Sequence, residues 1–396
     1  MKRKIIVLIG LVLAISLAWY FITLDRDYQP STDFDETESH LLVWSPYHRN
    51  TYRNFIKNLA EDDHVILFVP DTIDSDSLFN ELKLFGVNMD NILLQTINSA
   101  DIWIRDFGPL FLLNKSGKFK TISFNYHNSK RNTFPYEYQN LFKERLRASK
   151  LVSVGGAREL NGKGLAILVE KHEMANNPKL TKEQIGKELK KKLGVKKIIW
   201  LKSGLPQDEL RAVKPFLDSI YTNGAGNHID SFCRFISPNT VLLAKVDSSE
   251  LITNPIMKIA HERLEENYAI LKNASDHDGN PLNIIRVPMA PLLFEIEAYE
   301  NETRTFIRST SYLNFIITKN KVIVPSYAQH LGSDYAIAKD AEIEVIFKSI
   351  FPEKKIVMLD CIELNRNGGG FHCITINKPK KRKEKKQLNY FINFSL

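Results

Sequence analysis

Residues 181–201 read Thr-Lys-Glu-Gln-Ile-Gly-Lys-Glu-Leu-Lys-Lys-Lys-Leu-Gly-Val-Lys-Lys-Ile-Ile-Trp-Leu. Thr181 and Gln184 have the spacing of a capping box, which predicts that a helix begins here. Gly194 is the residue type on which such a helix commonly ends. Residues 195–201, which end in Ile-Ile-Trp-Leu, then predict a strand. A capped helix that passes directly into a strand is typical of an α/β fold.

The same alternation of strands and helices continues on both sides of this stretch. Further strands are predicted at residues 41–44, 64–69, 240–246 and 282–287. Further helices are predicted at residues 51–60, 76–85, 254–271 and 337–350. No linker divides residues 39–378, so we expect a single α/β domain there. We find no clear sequence repeat, although this rhythm leaves room for a degenerate one.

The positive charge of the chain lies at its two ends. The formal net charge is +8 over 396 residues. Residues 2–4 contribute three positive charges, and residues 378–386 contribute a surplus of six. The body between them is therefore close to neutral, which does not favour a nucleic-acid groove. We interpret residues 379–396 as a basic, solvated tail, with contact to anionic lipid or nucleic acid as the alternative.

The N-terminus has the pattern of a membrane-targeting segment. Three basic residues precede residues 5–24, an uncharged and mostly apolar stretch of the length that spans a bilayer. The small residues Ser16 and Ala18 fit cleavage by signal peptidase, but the hydrophobicity continues beyond them. This continuation favours an uncleaved signal anchor, which we place at residues 1–24. The basic flank predicts a membrane-anchored body on the extracytoplasmic side, periplasmic or at the cell surface. Secretion after cleavage is the alternative, and residues 25–38 are expected to be a linker.

Cys373 is the most conspicuous candidate for a chemical role. It follows three glycines at residues 368–370 and stands directly after His372. Consecutive glycines let the backbone approach a ligand closely. A thiol in this setting is poorly explained by packing, since a buried cysteine usually stands in an apolar run. Three cysteines are too few for a disulfide scaffold, and an odd count in an exported protein suggests a reactive thiol.

Residues 103–109, Trp-Ile-Arg-Asp-Phe-Gly-Pro, form a second candidate segment. In a strand, alternation would place Trp103 and Arg105 on one face and Asp106 on the other. The Gly-Pro pair would then end the strand, and sites of α/β sheets commonly form at strand ends. A surface Arg–Asp pair before a turn is the alternative interpretation.

His228 and Asp230 form the third candidate. Two positions apart in a strand, they would share one face and supply a proton donor beside an anion. A lone His-x-Asp also fits a purely structural pair. His372 is adjacent to Cys373 in sequence, but in an extended strand it would point away from the thiol. His228 is therefore the better partner for Cys373.

In this order, Trp-x-Arg-Asp-x-Gly-Pro, His-x-Asp and Gly-Gly-x-x-His-Cys-Ile-Thr resemble the agmatine deiminase and bacterial peptidylarginine deiminase family. The resemblance covers most of residues 39–378, and supporting segments lie at 176–178, 194–201, 311–315 and 351–352. It implies a pentein fold, a five-bladed α/β propeller with the active site at its central axis. It also implies an enzyme that hydrolyses a guanidinium group to a ureido group and ammonia.

The resemblance assigns roles to matching residues. Cys373 would attack the guanidinium carbon and form a covalent amidino-thioether. Asp106 and Asp230 would hold the guanidinium nitrogens through charge-assisted hydrogen bonds. His228 would protonate the departing ammonia and then activate water. Neither metal nor other cofactor is expected, and the substrate-binding candidates are Trp103, Arg105, Asn314, Gly369, Lys130 and Arg131.

Departures from the family pattern bear on the substrate. Agmatine deiminases carry a glutamate before the Gly-Gly pair of the middle motif, where this chain has Val154. The peptidylarginine branch also lacks that acid and uses a basic loop, which residues 124–131 resemble. Asn227 stands where relatives usually have glycine, and Gly370 where asparagine is commoner. We expect peptidyl-arginine or another external guanidine as the substrate, with agmatine, giving N-carbamoylputrescine, as the alternative.

Two further interpretations remain open. A protein of this fold that binds guanidines without efficient turnover is compatible with Val154, although the complete set of catalytic candidates argues against it. A metal site built from His228, Asp230, His372 and Cys373 would suit zinc by ligand type. It lacks the close-spaced ligand pair that is usual for zinc, so we expect no metal.

Overall fold

The computed structural model describes residues 28–98, 101–114, 117–126, 133–210, 214–252, 254–299 and 302–380. The expected anchor at residues 1–24, residues 381–396 of the tail, and both Lys130 and Arg131 lie outside these ranges. Within the described ranges, no helix combines the length and the apolar character needed to cross a bilayer.

The strands are numbered in chain order: β1 Gln29–Pro30, β2 Thr37–Val43, β3 His64–Pro70, β4 Ile92–Ile97, β5 Leu110–Leu113, β6 Phe119–Asn125, β7 Leu146–Val152, β8 Arg158–Leu160, β9 Leu165–Val169, β10 Lys197–Leu201, β11 Ile220–Thr222, β12 Cys233–Ser237, β13 Thr240–Lys245, β14 Asn283–Pro288, β15 Phe294–Tyr299, β16 Glu302–Ile307, β17 Ile316–Ile317, β18 Lys321–Ser326, β19 Lys355–Asp360 and β20 Ile376–Pro379. The helices are α1 Arg49–Ala60, α2 Ser75–Leu84, α3 Ile104–Phe107, α4 Phe134–Phe142, α5 Glu170–Asn176, α6 Lys182–Leu193, α7 Pro255–Lys272, α8 Ala328–Leu331, α9 Asp334–Ile350 and α10 Ile362–Asn365.

Five of the sheets share one internal order, in which an antiparallel pair of strands is followed by a parallel pair. These sheets are β20-β2-β3-β4, β1-β5-β6-β7, β8-β9-β10, β12-β13-β14 and β17-β18-β19. A further sheet, β11-β16-β15, carries the hairpin β15–β16. The five sheets therefore repeat one strand order, although their amino-acid sequences differ. β20 pairs with β2, which ties the Cys373 segment to the first sheet.

The predicted succession of strands and helices is confirmed, with shifts of a few residues at element ends. In the capping box, the Gln184 backbone N–H donates to Thr181 Oγ1 (3.3 Å), and the Thr181 N–H donates to Gln184 Oε1 (2.8 Å). Helix α6 ends at Leu193 and is capped by Gly194, whose φ of 71° suits a residue without a Cβ. The capping box and the terminating glycine each involve only a few neighbouring residues, so contacts with the rest of the fold do not alter them.

Two segments predicted as strands are helical turns instead. Residues 104–107 form α3, in which the Asp106 N–H donates to the Trp103 carbonyl and the Gly108 N–H to the Ile104 carbonyl. Residues 229–231 form a single 3₁₀ turn. Local hydrogen bonds of this kind compete with a strand ladder. The alternation used to place these side chains on faces was therefore wrong.

The expected linker at residues 25–38 is also corrected from residue 28 onward. β1 pairs with β5, and the Asp33 carboxylate contacts the guanidinium groups of Arg105 and Arg234. These arginines are 72 and 201 residues away from Asp33 in sequence, so no local pattern predicts the contact.

The residues around Cys373 are anchored in a hydrophobic core. Phe371 stacks on Phe55 of α1 with ring centroids 4.6 Å apart. Phe371 and Ile374 are fully buried in the same cluster as residues of β2 and β3. Apolar side chains on both sides therefore hold the turn that carries Cys373.

Candidate active site

The four predicted catalytic residues meet in one buried cluster. The Cys373 thiol lies 3.7 Å from Asp230 Oδ2, and His228 Nδ1 lies 3.8 Å from Asp106 Oδ1. A Cβ added at Gly156 would be 2.5 Å from His228 Nδ1 and 3.0 Å from Asp106 Oδ1. The same point is 3.2 Å from Asp230 Oδ2. The imidazole and the two carboxylates thus converge on one small volume beside a glycine.

Backbone contacts fix the positions of these side chains. The Gly156 N–H donates to Asp106 Oδ1 (3.1 Å). The carboxylate of Asp208 accepts the backbone N–H groups of His228 (2.6 Å) and Ala225 (2.7 Å). Asp208 was not singled out in the sequence, since its acidic neighbour Glu209 and its loop setting make it look solvated. Buried, it holds the turn that presents His228 and Asp230.

Asn314 and the glycine run shape the surroundings of the thiol. Asn314 Nδ2 donates to Cys373 Sγ at 3.3 Å, and Asn314 Oδ1 accepts the His372 N–H at 2.9 Å. A Cβ at Gly370 would be 2.6 Å from Asn314 Oδ1. A Cβ at Gly369 would be 2.3 Å from the Trp103 ring. The glycines are therefore required for close approach to Asn314 and Trp103.

Arg105, a substrate-binding candidate from the sequence, is engaged elsewhere. Its Nε donates to the His372 carbonyl (3.2 Å), and its terminal nitrogen donates to Asp33 Oδ1 (3.3 Å). Its backbone N–H donates to the Cys373 carbonyl (3.2 Å). The guanidinium thus braces the Cys373 turn from behind. The remaining candidates Lys130 and Arg131 lie outside the described residues.

The electrostatics keep the free thiol protonated. Burial raises the pKa of Cys373 well above its ordinary value, and the carboxylates of Asp230 and Asp106 add to this effect. N–H donors from Gly370 and Asn314 oppose it. A cation bound between the carboxylates would offset their repulsion of the thiolate. Thiolate formation is therefore coupled to the binding of a positive ligand.

The surroundings of His228 and Asp230 favour the charged form of each side chain. Burial lowers the pKa of His228, but the carboxylates of Asp106 and Asp208 outweigh it, and the pKa lies above the ordinary 6.5. Burial raises the pKa of Asp230, but a hydrogen bond and positive charge from His372 bring it below 3.8. Burial raises the pKa of Asp106 above 3.8. The site thus offers an acidic imidazolium beside carboxylates.

Two buried polar atoms of the cluster lack partners within the part of the chain that is described. They are His228 Nδ1 and Asp230 Oδ1. Both residues are at least 95% buried. Buried polar groups are nearly always hydrogen-bonded. The pair therefore marks the place where a ligand would complete the hydrogen bonding.

His372 does not point away from the site, as the strand assumption required. It lies in a turn, and its Nδ1 is 2.6 Å from Asp230 Oδ2, the same oxygen that faces the Cys373 thiol. The sequence places His372 directly before Cys373, which could have indicated that it lies at the site. The assumption of a strand led to the opposite expectation, because a strand would direct the ring to the other face.

The described residues do not assemble the four-ligand set considered for zinc. One group of three potential ligands lies together, Asp33, Glu159 and His372, with atoms within 4.8 Å of one another. His228 and Cys373 are not part of it. The guanidinium groups of Arg105 and Arg234 already occupy the Asp33 carboxylate, and two cations there disfavour a metal ion.

The fold and the site define an α/β protein whose buried cysteine, histidine and two carboxylates surround a space suited to a planar cation. Residues 38–379 match the sequence profile of the Porphyromonas-type peptidyl-arginine deiminase family. The agmatine deiminase of Pseudomonas aeruginosa (strain LESB58) is 26% identical over 386 residues, 90% of this chain and 96% of that protein. The chain belongs to the Porphyromonas-type peptidyl-arginine deiminase family and is a deiminase, a hydrolase of carbon–nitrogen bonds.

Solved structures agree in fold. The agmatine deiminase of Enterococcus faecalis superposes with a TM-score of 0.73 at 21% identity, covering 90% of this chain and 97% of that one. The substrate-bound agmatine deiminase of C. jejuni gives 0.70 at 23% identity, covering 89% and 97%. The chain therefore has the α/β fold of the agmatine deiminases, the expected pentein fold.

Proposed function

We propose that this protein hydrolyses an arginine-type guanidinium to a ureido group and ammonia through a covalent intermediate on Cys373. The observation that carries the proposal is the convergence of His228 Nδ1, Asp106 Oδ1 and Asp230 Oδ2 beside Gly156, in a cluster where Asp230 Oδ1 and His228 Nδ1 have no hydrogen-bond partner among the described residues. A planar cation with N–H donors along its edges supplies the missing donors and the missing charge.

Binding prepares the nucleophile. The guanidinium donates to Asp230 and Asp106, and its charge offsets the carboxylates that hold the pKa of Cys373 high. The thiol proton leaves to solvent or to an acceptor in the site, and Asn314 Nδ2 donates to the thiolate formed. The sulfur then attacks the guanidinium carbon, which becomes tetrahedral.

Two proton transfers by His228 complete the reaction. The imidazolium gives its proton to one nitrogen of the tetrahedral adduct as the carbon–nitrogen bond breaks, and ammonia departs and leaves the amidino-thioether on Cys373. The neutral imidazole then takes a proton from water, whose oxygen bonds to the same carbon. The carbon–sulfur bond breaks, which releases the ureido product and returns the thiolate.

For the substrate, we favour peptidyl-arginine or another external guanidine. Val154 is buried and apolar at the position where agmatine deiminases carry a clamping glutamate. Hydrolysis of agmatine is the alternative, supported by the similarity to proteins that carry that name. A guanidine-binding protein with weak turnover is the alternative of another class.

We also propose that the five similar sheets form the blades of a propeller and that the site lies at its axis. Their shared strand order and the pairing of the C-terminal β20 with β2 support this arrangement. Within it, α3, the 229–231 turn and the Cys373 turn would each enter the centre from a different part of the chain.

Location is a separate proposal. We favour a membrane anchor at residues 1–24 with the deiminase body on the extracytoplasmic side, because a basic flank precedes an apolar stretch of spanning length. Cleavage and secretion are the alternative. A fusion of residues 1–38 to alkaline phosphatase should give periplasmic activity in a Gram-negative host, and cytoplasmic retention would contradict the proposal.

The test of function is direct. Purified protein is assayed for ammonia and for the ureido group on agmatine, free arginine and arginine-containing peptides. Turnover is expected with at least one of them, and Cys373→Ala should abolish it while guanidine binding remains. Cys233→Ala, at a fully buried cysteine of β12, is the matched control and should stay active. Turnover that survives in Cys373→Ala would exclude the covalent route, and full activity in His228→Ala would remove its role.

A further inference from the structure

The imidazole of His372 lies between two carboxylates. Its Nδ1 is 2.6 Å from Asp230 Oδ2, and its Nε2 is 2.7 Å from Asp33 Oδ2. The His372 side chain is 2% exposed. Asp33 comes from the segment before β2, whereas His372 and Asp230 belong to the site. The ring therefore links the N-terminal part of the body to a catalytic carboxylate.

The geometry determines where the protons of this link lie. An ionised carboxylate can only accept hydrogen bonds, so each short contact needs a proton on the ring nitrogen. Burial raises the pKa of Asp33, but the charges of Arg105 and His372 outweigh it and leave the pKa well below the usual range. The pKa values of the Asp33 and Asp230 carboxyls are both lowered, so both groups act as hydrogen-bond acceptors toward the ring.

A buried ionic layer holds Asp33 in place. Terminal nitrogens of Arg105 and Arg234 donate to its two oxygens at 3.3 and 2.9 Å. Arg234 is fully buried and also donates to the Leu313 and Phe315 carbonyls on either side of Asn314. Asp33 thus cannot turn away from His372 without breaking its ion pairs with both arginines, which is costly inside a protein.

The two oxygens of Asp230 have different surroundings. Oδ2 meets His372 Nδ1 and faces the Cys373 thiol, whereas Oδ1 has no partner among the described residues. A hydrogen bond from one side fixes the rotation of a carboxylate, so Oδ2 is held 3.2 Å from a Cβ placed at Gly156, beside the Cys373 thiol, and Oδ1 is left free to accept. A carboxylate without this bond would turn freely and lose part of its preorganisation.

We propose that His372, fixed by Asp33, is a positioning residue that orients Asp230 to receive the guanidinium of the substrate. This role rests on the proposed function, since it concerns the same site. It also explains why an N-terminal segment with the composition of a linker is packed against the back of the active site.

Two substitutions in the full chain separate the two ends of the ring. In His372→Asn, the amide nitrogen stands near the place of Nδ1 and retains a donor to Asp230. In His372→Gln, the amide nitrogen stands near the place of Nε2 and retains the contact to Asp33 alone. The two variants are matched in polarity and charge, so a difference between them reports the Asp230 contact.

The expected result is a split in the kinetic constants. His372→Gln should raise KM for the guanidine about 10-fold, the effect of one lost charge-assisted hydrogen bond. His372→Asn should raise KM about 3-fold or less, because a neutral donor remains. A merely structural role would lower Tm and activity alike in both variants. Equal KM values for the two variants would overturn the proposal.

Failure of the proposed function would be recognised separately. If the wild-type protein hydrolyses no guanidine, the positioning role is read from the pKa of the Asp230 carboxyl itself, followed by carbon-13 NMR. Loss of the His372 donor at Asp230 Oδ2 should raise this pKa. A higher Asp230 pKa in His372→Gln than in His372→Asn supports the role, and one common pKa in all three proteins refutes it.

Discussion

Gly156→Ala should damage catalysis far more than folding. The φ of Gly156 is not in the left-handed region, so its backbone accepts alanine. The new methyl group would stand 2.5 Å from His228 Nδ1 and 3.0 Å from Asp106 Oδ1. The substitution therefore tests whether this volume is where the chemistry takes place.

The expected size follows from the distances. Ordinary contact begins near 3.4 Å, so the His228 ring must retreat by about 0.9 Å. A misplacement of about 1 Å in a catalytic constellation costs about 100-fold in rate. Overpacking of this kind destabilises by about 1–3 kcal/mol. We therefore expect kcat/KM to fall about 100-fold in a protein that still folds.

The assay compares kcat/KM from ammonia release with the thermal unfolding midpoint. Gly186→Ala is the matched control, since a Cβ there would lie 3.6 Å from Trp200 and 3.7 Å from Ile198, ordinary contact distances. Gly186 lies within α6, where alanine should stabilise by about 1 kcal/mol and leave activity unchanged.

One result would refute the reasoning. A folded Gly156→Ala protein with kcat/KM close to the wild-type value would show that His228 and Asp106 need not occupy the positions described. The catalytic volume would then have to lie on another side of Cys373.

Three further outcomes are expected. Asn314→Ala should lower kcat about 100-fold, since it removes the side-chain donor to the Cys373 thiolate; it should also lower Tm, since it removes the Oδ1 acceptor of the buried His372 N–H. Unchanged kcat in stopped-flow assays would exclude the donor role. The proposed mechanism needs protonated His228, and the pKa of His228 is raised above 6.5. We therefore expect kcat/KM to fall as the pH rises through a value above 6.5, and a fall centred below 6.5 would contradict this expectation. Thr181→Ala should cost about 1 kcal/mol in urea unfolding without affecting turnover, and no loss would show that the capping box is dispensable.

The α/β fold class could be predicted from the sequence because the patterns that indicate it each span only a few residues. The capping box at Thr181, the terminating Gly194 and the apolar runs of the strands each act within one element. The catalytic residue types were readable for a related reason, since a thiol after three glycines and a carboxylate before Gly-Pro are conspicuous in any context. Neither observation placed these residues in space.

The local structure at the site was less predictable. Trp103 to Asp106 and His228 to Asp230 fit a strand by spacing, but turn hydrogen bonds decide their conformation. The direction of each side chain therefore follows from contacts with other segments. His372 shows the consequence, because a strand would have turned it away while the observed turn brings it to Asp230.

The sequence by itself determined the α/β rhythm, the candidate nucleophile and the acids and imidazole that could serve it. Only the tertiary structure decided that Asp33, from a segment with linker composition, meets His372 across 339 positions of the chain. It also decided that Asp230 Oδ2, Asp106 Oδ1 and His228 Nδ1 converge beside Gly156. The physical reason is that buried ion pairs form between residues brought together by folding, so neither partner carries a local pattern that names the other.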